Sequence, residues 1–148
     1  MVQAGHAARI TTRSEAGREA IERTGAECWI GTPDRLATLR GALDGVTLAC
    51  WLLAWARGEP EQLSVLHGSR LALFVRQLID TPVRGLLYDA SAGPVAPGLL
   101  ASGAAIVRSL SARNAIPARV LSGPAGEDVD AWLRRARSAV GVLLGARA

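Results

Sequence analysis

Met1-Val2-Gln3-Ala4-Gly5-His6-Ala7-Ala8-Arg9-Ile10-Thr11-Thr12-Arg13 reads as the second half of a βαβ unit. A stub of apolar helix, Met1 to Ala4, ends at Gly5, a residue type suited to the left-handed turn that closes helices. Ala8 to Thr12 is short and β-branched, as a strand should be, and the basic-polar turn Arg13-Ser14 closes it. In a doubly wound sheet such a stretch follows a hydrophobic strand and a Gly-x-Gly-x-x-Gly turn that seats a pyrophosphate on a helix N-terminus. Both are expected upstream of Met1, so the domain reads as N-terminally incomplete. In the strand order 3-2-1-4-5-6 the strand so placed is the central one. Without it, the strands at 8–12 and 46–53 each keep an unpaired, association-prone edge. Three arrangements answer this: an earlier chain start, direct pairing of the two strands, or a strand borrowed from a second copy through the exposed edges.

Strand and helix signals alternate outward from this stretch. Ser14 reads as the cap of a helix running to Gly25, and Glu27 to Ile30 as a second strand. Thr32 and Pro33 read as N-cap and first residue of a helix over 34–43, where Leu36, Leu39 and Leu43 form one apolar face. Val46 to Leu53 is apolar throughout, the pattern of a parallel strand covered on both faces. A long helix is expected over 61–79, a strand over 83–88, a small-residue loop over 89–97 and a helix over 99–113. A last strand over 118–121, a turn over 122–126 and a helix over 130–144 complete the chain. Such repetition predicts an α/β fold with a doubly wound, Rossmann-like parallel sheet in one domain spanning 1–148.

Composition narrows the chemistry. The chain has 148 residues, 49% of them apolar and 20% charged, with a net charge of +4. All 17 basic residues are arginine, scattered along helices, and aromatic residues are sparse, so nucleic acid is not an expected partner. The longest apolar run, 46–56, is about half the ~20 residues a bilayer span needs. No membrane partner and a cytoplasmic location are therefore expected. Cys28 and Cys50 lie in apolar runs without a ligand-like neighbour and read as small buried hydrophobes, with no metal site. The absence of lysine rules out a Walker A phosphate contact, a Schiff base and a lysine-tuned tyrosine within this chain.

Four stretches, in order and at matching spacing, give the chain a family likeness: Ala4 to Arg13, Gly25 to Gly31 with Leu36 to Val46, Leu66 to Leu71, and Arg84 to Ala92. Together they make it similar to the extended or atypical short-chain dehydrogenase/reductase family, epimerase- and reductase-like proteins that bind NAD(P) on a Rossmann fold. The resemblance implies a cofactor edge at Thr12, Arg13 and Ser14, after the second strand of that fold. An acid there bonds the ribose 2′-hydroxyl of NAD, whereas an arginine suits the 2′-phosphate of NADP. NADP is therefore the implied cofactor, although a merely solvated Arg13 is the plain alternative. Thr32 stands where the family usually has an aspartate near the adenine. Leu53 and Ala54 follow Trp51 and Leu52 in the run beside the nicotinamide ribose. Trp51 reads as core and Trp55 as facing the cleft.

The catalytic positions depart from the family. Its Tyr-x-x-x-Lys pair falls on Leu99 and Gly103, and neither moves a proton. Ser91 matches the family serine but reads as a turn cap without partners, and Asp89 is the best lone acid at a strand end. The single tyrosine, Tyr88, has no lysine to tune it. His67 reads as packing against a strand, far from His6. The chain is thus expected to bind a dinucleotide and to lean away from enzymatic activity; if it is an enzyme, it is an atypical NADP-dependent oxidoreductase or epimerase. The rival reading is a truncated or decayed α/β domain without cofactor, serving as an interaction module.

Overall fold

The computed structural model describes residues 1–124 and 126–145. Ala125, in the turn expected over 122–126, lies outside the described residues. The chain divides into two compact units, residues 1–44 and residues 45–148.

The first unit is a βαβ element. Strand β1 (Arg9–Thr12) pairs in parallel with β2 (Glu27–Ile30), Arg9 opposite Glu27 and Thr12 opposite Ile30. The crossover is a 3-10 turn at Glu15–Gly17 leading into the short helix α1 (Arg18–Glu22). Met1 to Ala4 is not an α-helical stub; Val2–Ala4 forms one 3-10 turn, and Gly5 closes it at φ 81° as expected of a left-handed cap. Arg9 links the unit. Its guanidinium pairs with Glu27 at 2.9 Å, donates to the Ala42 and Asp44 carbonyls, and lies 5.7 Å from the Trp29 ring centroid.

The helix expected over 34–43 does not form. Two 3-10 turns, Leu36–Leu39 and Gly41–Leu43, replace it. The Trp29 indole N–H takes the Thr38 carbonyl at 2.8 Å, the acceptor that an α-helix would have offered to residue 42. The same indole fills the space in front of Gly41, where a Cβ would come within 2.6 Å of it. The leucine periodicity still buries Leu36, Leu39 and Leu43, because the apolar face needs only the spacing, not the α-helical bonds.

The second unit is a parallel sheet in the order β3-β4-β5, with β3 (Leu48–Trp51), β4 (Gly85–Asp89) and β5 (Ala118–Leu121). Leu48 lies opposite Gly85, and Leu86 opposite Ala118. Every residue of β4 is buried, as a central strand requires. Helices α2 (Pro60–Leu66), α3 (Ser69–Gln77) and α4 (Pro97–Arg113) precede β5, and α5 (Val129–Gly145) follows it. On one sheet face, Leu48, Leu87 and Leu121 pack with Ala136, Val140 and Leu143 of α5. On the other, Trp51 meets Phe74 of α3 at a centroid distance of 4.8 Å. Each fully buried leucine contributes ~1.5–3 kcal/mol of transfer free energy to this core.

Two further expectations fail, one in this unit and one across both. The long helix over 61–79 is interrupted: α2 ends at His67, Gly68 adopts φ −115° and ψ −107°, and α3 begins at Ser69. Glu59 and Gln62 supply a reciprocal capping box at the start of α2. The cysteines are not buried, since Cys28 is half-buried and Cys50 exposed. Cys50 shares a face of β3 with Leu48 and is exposed, so that face is not covered along its whole length. Among the described residues, β1 pairs only with β2, and β3 only with β4. No helix among the described residues is long and apolar enough to cross a membrane.

Candidate functional site

In the first unit the sequence-predicted residues gather at the C-terminal end of β1. Thr12 is its last residue, half-buried, with its side chain over Gly17; no Cβ fits at Gly17. Arg13 follows in the open, its side chain 71% exposed, and pairs with Asp34 at 3.0 Å. Ser14 has the extended backbone of a cap residue, φ −149° and ψ 166°, but its hydroxyl makes no capping bond, contrary to expectation. Thr32 is also not a helix cap. It bridges to Arg35, accepts the Asp34 amide on its hydroxyl at 3.2 Å, and is held by Thr38, whose hydroxyl accepts its N–H at 2.9 Å. The stapled 32–38 turn therefore presents Asp34, rather than Thr32, to Arg13. An exposed ion pair of this kind is worth ~0–1 kcal/mol and exchanges readily.

In the second unit the predicted residues separate onto the two faces of the sheet. Ala54 is fully buried among Val95 and Leu100. The Leu53 carbonyl accepts a hydrogen bond from His67 Nε2 at 3.1 Å. A carbonyl only accepts, so Nε2 carries the proton of a neutral imidazole and Nδ1 is left as an acceptor. Tyr88 O–H therefore donates to Nδ1, at 2.8 Å. Both side chains are sealed, Tyr88 at 0% and His67 at 1% exposure. Burial lowers the His67 pKa, opposed by its bond to Leu53 and by Asp89, and burial pushes the Tyr88 phenol upward. His67 does pack against a strand, as its surroundings in the sequence suggest, but the bond to Tyr88 was not legible there.

Gly103 explains how Tyr88 reaches His67. A Cβ on Gly103 would collide with the Tyr88 hydroxyl and come within 3.1 Å of the His67 carbonyl. The position that the family resemblance gives to lysine is here the space that a buried phenol occupies. Leu99, at the tyrosine position, packs against the cluster of Ala54, Val95 and Leu100.

Asp89, the last residue of β4 and on the face opposite to Tyr88, and Ser91 just beyond the strand border an open pocket of about 300 Å³. It sits beyond the C-terminal ends of β3–β5, where α/β sheets generally take ligands. Asp89 Oδ1 accepts the Ser91 N–H at 2.9 Å, so Asp89 makes the turn and Ser91 does not cap it. The Ser91 hydroxyl is buried and has no hydrogen-bond partner among the described residues. Trp55, 63% exposed, does line this pocket, and Trp51 is core at 3%. Sequence reasoning missed the wall supplied by Trp132 of α5 and by Glu127 and Asp128 just before that helix. The acids before Trp132 mark a helix start, but nothing local tells that this helix end closes a pocket. Among the described residues no three His, Cys, Asp or Glu side chains converge as a metal site.

No protein-family model matches the chain, and no curated protein sequence matches it. Solved structures do. The chain superposes on gox2253 with a TM-score of 0.64 at 19% identity, over 82% of this chain and 44% of that one. It superposes on Citrobacter sp. triphenylmethane reductase complexed with NADP(H) with a TM-score of 0.58 at 19% identity, over 77% and 39%. A second structure of that reductase, a protein of triphenylmethane-dye bioremediation, gives 0.59 at 18% identity, over 88% and 45%. The chain thus spans less than half the length of each. At these identities the likeness establishes the fold: α/β, with parallel strands in the Rossmann-like arrangement.

Proposed function

We propose that the chain binds NADP as a Rossmann-type protein of the atypical short-chain dehydrogenase/reductase kind, without that family's Tyr-Lys acid–base pair. The observation that carries this is Arg13, an exposed guanidinium directly after the C-terminal end of a parallel strand. An arginine there is the group that receives a 2′-phosphate, through paired charge-assisted bonds. The polar neighbours Thr12 and Ser14 can add hydrogen bonds. Asp34 holds Arg13 when no nucleotide is bound, and a phosphate carrying close to two charges displaces a single carboxylate. The solved likeness with bound NADP(H) supports the same reading.

The chain is non-catalytic, or catalytic by another route, in this reading. Leu99 and Gly103 carry no proton, and the Tyr88 hydroxyl is spent on His67 inside the core. Two unpaired thiols fit a cytoplasmic location. Calorimetric titration of the full chain and of Arg13→Asp with NADPH and NADH tests the assignment. The substitution should weaken NADPH binding by about ten- to a hundredfold, the worth of a charged hydrogen-bonded pair, and leave NADH nearly unchanged. Equal loss for both nucleotides would overturn it.

A further inference from the structure

The pocket beyond β3, β4 and β5 offers a guest mainly apolar surface. Three carboxylates line it, and each is committed or closed off. Glu127 pairs with Arg135, and Asp128 accepts the Ala131 N–H at 2.6 Å. Asp89 is buried and accepts the Ser91 N–H. The hydrogen bond from Glu127 raises the Arg135 pKa, and the Asp89 charge adds to that effect. The Ser91 hydroxyl and the Trp132 indole N–H are closed to solvent as well. The acids stand at the rim, and the walls are carbon.

Three large apolar side chains of the lining, Leu52, Trp55 and Val129, are 42%, 63% and 72% exposed. A group that covers such a cluster gains free energy roughly in proportion to the apolar area it hides from water. Trp55 is exposed but not loose. Its ring rests on Gly93, where a Cβ would come within 3.3 Å of the indole and 2.9 Å of the Ala54 carbonyl. A glycine there lets the indole lie close against the backbone, and a plate held in this way is preorganised for stacking. The volume, about 300 Å³, is at the lower end of the ~300–1,000 Å³ range of small-molecule clefts. Charge narrows the choice further. A helix start ordinarily attracts an anion, but Glu127, Asp128 and Asp130 surround the start of α5 and repel one.

We propose that this pocket binds a small uncharged aromatic molecule of one or two rings, stacked on the Trp55 indole between Leu52 and Val129. Affinity comes from the apolar area covered and from ring stacking. Selectivity against anions comes from the acidic rim. Every residue of the site belongs to the second unit, so the site stands or falls independently of NADP binding at Arg13.

Titration of the full chain with 2-naphthol, its saturated counterpart decahydro-2-naphthol and 2-naphthoate, without nucleotide, separates ring, shape and charge. In ¹H–¹⁵N spectra, 2-naphthol should shift the Trp55 indole N–H signal and leave that of Trp29, in the first unit, in place. The saturated alcohol should bind about two- to tenfold more weakly, the scale of aromatic stacking beyond area, and the anion weakest of the three. Trp55→Phe keeps an aromatic plate and should retain most of the affinity, read from the Val129 amide. Trp55→Ser, at an exposed position, should lose about tenfold. Should Trp55→Ser not fold, the Trp55→Phe result and the rank order in the unaltered chain decide. No binding of 2-naphthol at millimolar concentration, equal binding of the saturated alcohol or of the anion, or a Trp55→Ser chain that binds 2-naphthol unchanged would overturn the proposal.

Discussion

Tyr88 donates its phenolic hydrogen to Nδ1 of His67 across 2.8 Å in a site closed to solvent. The bond joins β4 to the end of α2 and, through His67 Nε2, to the backbone of Leu53 at the exit of β3. Removing the hydroxyl in Tyr88→Phe leaves a buried acceptor unpaired and should cost ~1–3 kcal/mol of unfolding free energy in chemical denaturation. Unchanged stability would show that the bond does not hold.

Gly103 supplies a second check on the same contact. Glycine-to-alanine changes inside helices ordinarily stabilise by roughly 0.5–1 kcal/mol. Gly103→Ala should instead destabilise by ~1–3 kcal/mol, because the new methyl meets the Tyr88 hydroxyl. Part of that cost should return in the Gly103→Ala, Tyr88→Phe double variant, measured as a coupling energy.

Acid should loosen the second unit through His67. Burial lowers its pKa in the fold below the ordinary 6.5, with Asp89 acting in the opposite direction. The unfolded chain then binds the extra proton first, so stability is full above pH 6.5 and falls as pH drops below it. Thermal midpoints measured from pH 7.5 to 5 should fall more steeply for the native chain than for His67→Gln, which keeps a donor and an acceptor but cannot titrate. Parallel slopes would contradict the assignment.

Asp34 should restrain nucleotide binding. Asp34→Asn frees the Arg13 guanidinium and removes a negative charge facing the 2′-phosphate. NADPH affinity should rise about two- to fivefold, the ~0.5–1 kcal/mol scale of an exposed pair, and the gain should shrink in high salt. Weaker NADPH binding by Asp34→Asn would show that Asp34 aids the nucleotide.

The strands were legible from Ala8 to Leu121 because each is a short apolar or β-branched run between turn residues, and period-two reasoning needs nothing distant. The helices over 34–43 and 61–79 were misread for a different reason. Their leucine spacing is helical, but Trp29 withdraws the Thr38 carbonyl, and His67 turns its ring to Leu53 and Tyr88. Those partners lie 9, 14 and 21 residues away, beyond any local pattern. Arg13 could be placed at a strand end from sequence, whereas its engagement by Asp34 depends on the stapled 32–38 turn. The pocket needed β3, β4 and α5 together, and the missing lysine gave no hint that Gly103 would house a phenol.

Binding of 2′,5′-ADP, followed residue by residue in ¹H–¹⁵N spectra of the full chain, examines the proposed phosphate contact without the rest of the dinucleotide. Amide shifts should concentrate at Thr12, Arg13, Ser14 and Asp34, saturate with ligand, and disappear for 5′-AMP at the same concentration. Equal shifts with 5′-AMP, or none at Arg13, would contradict NADP binding through this edge.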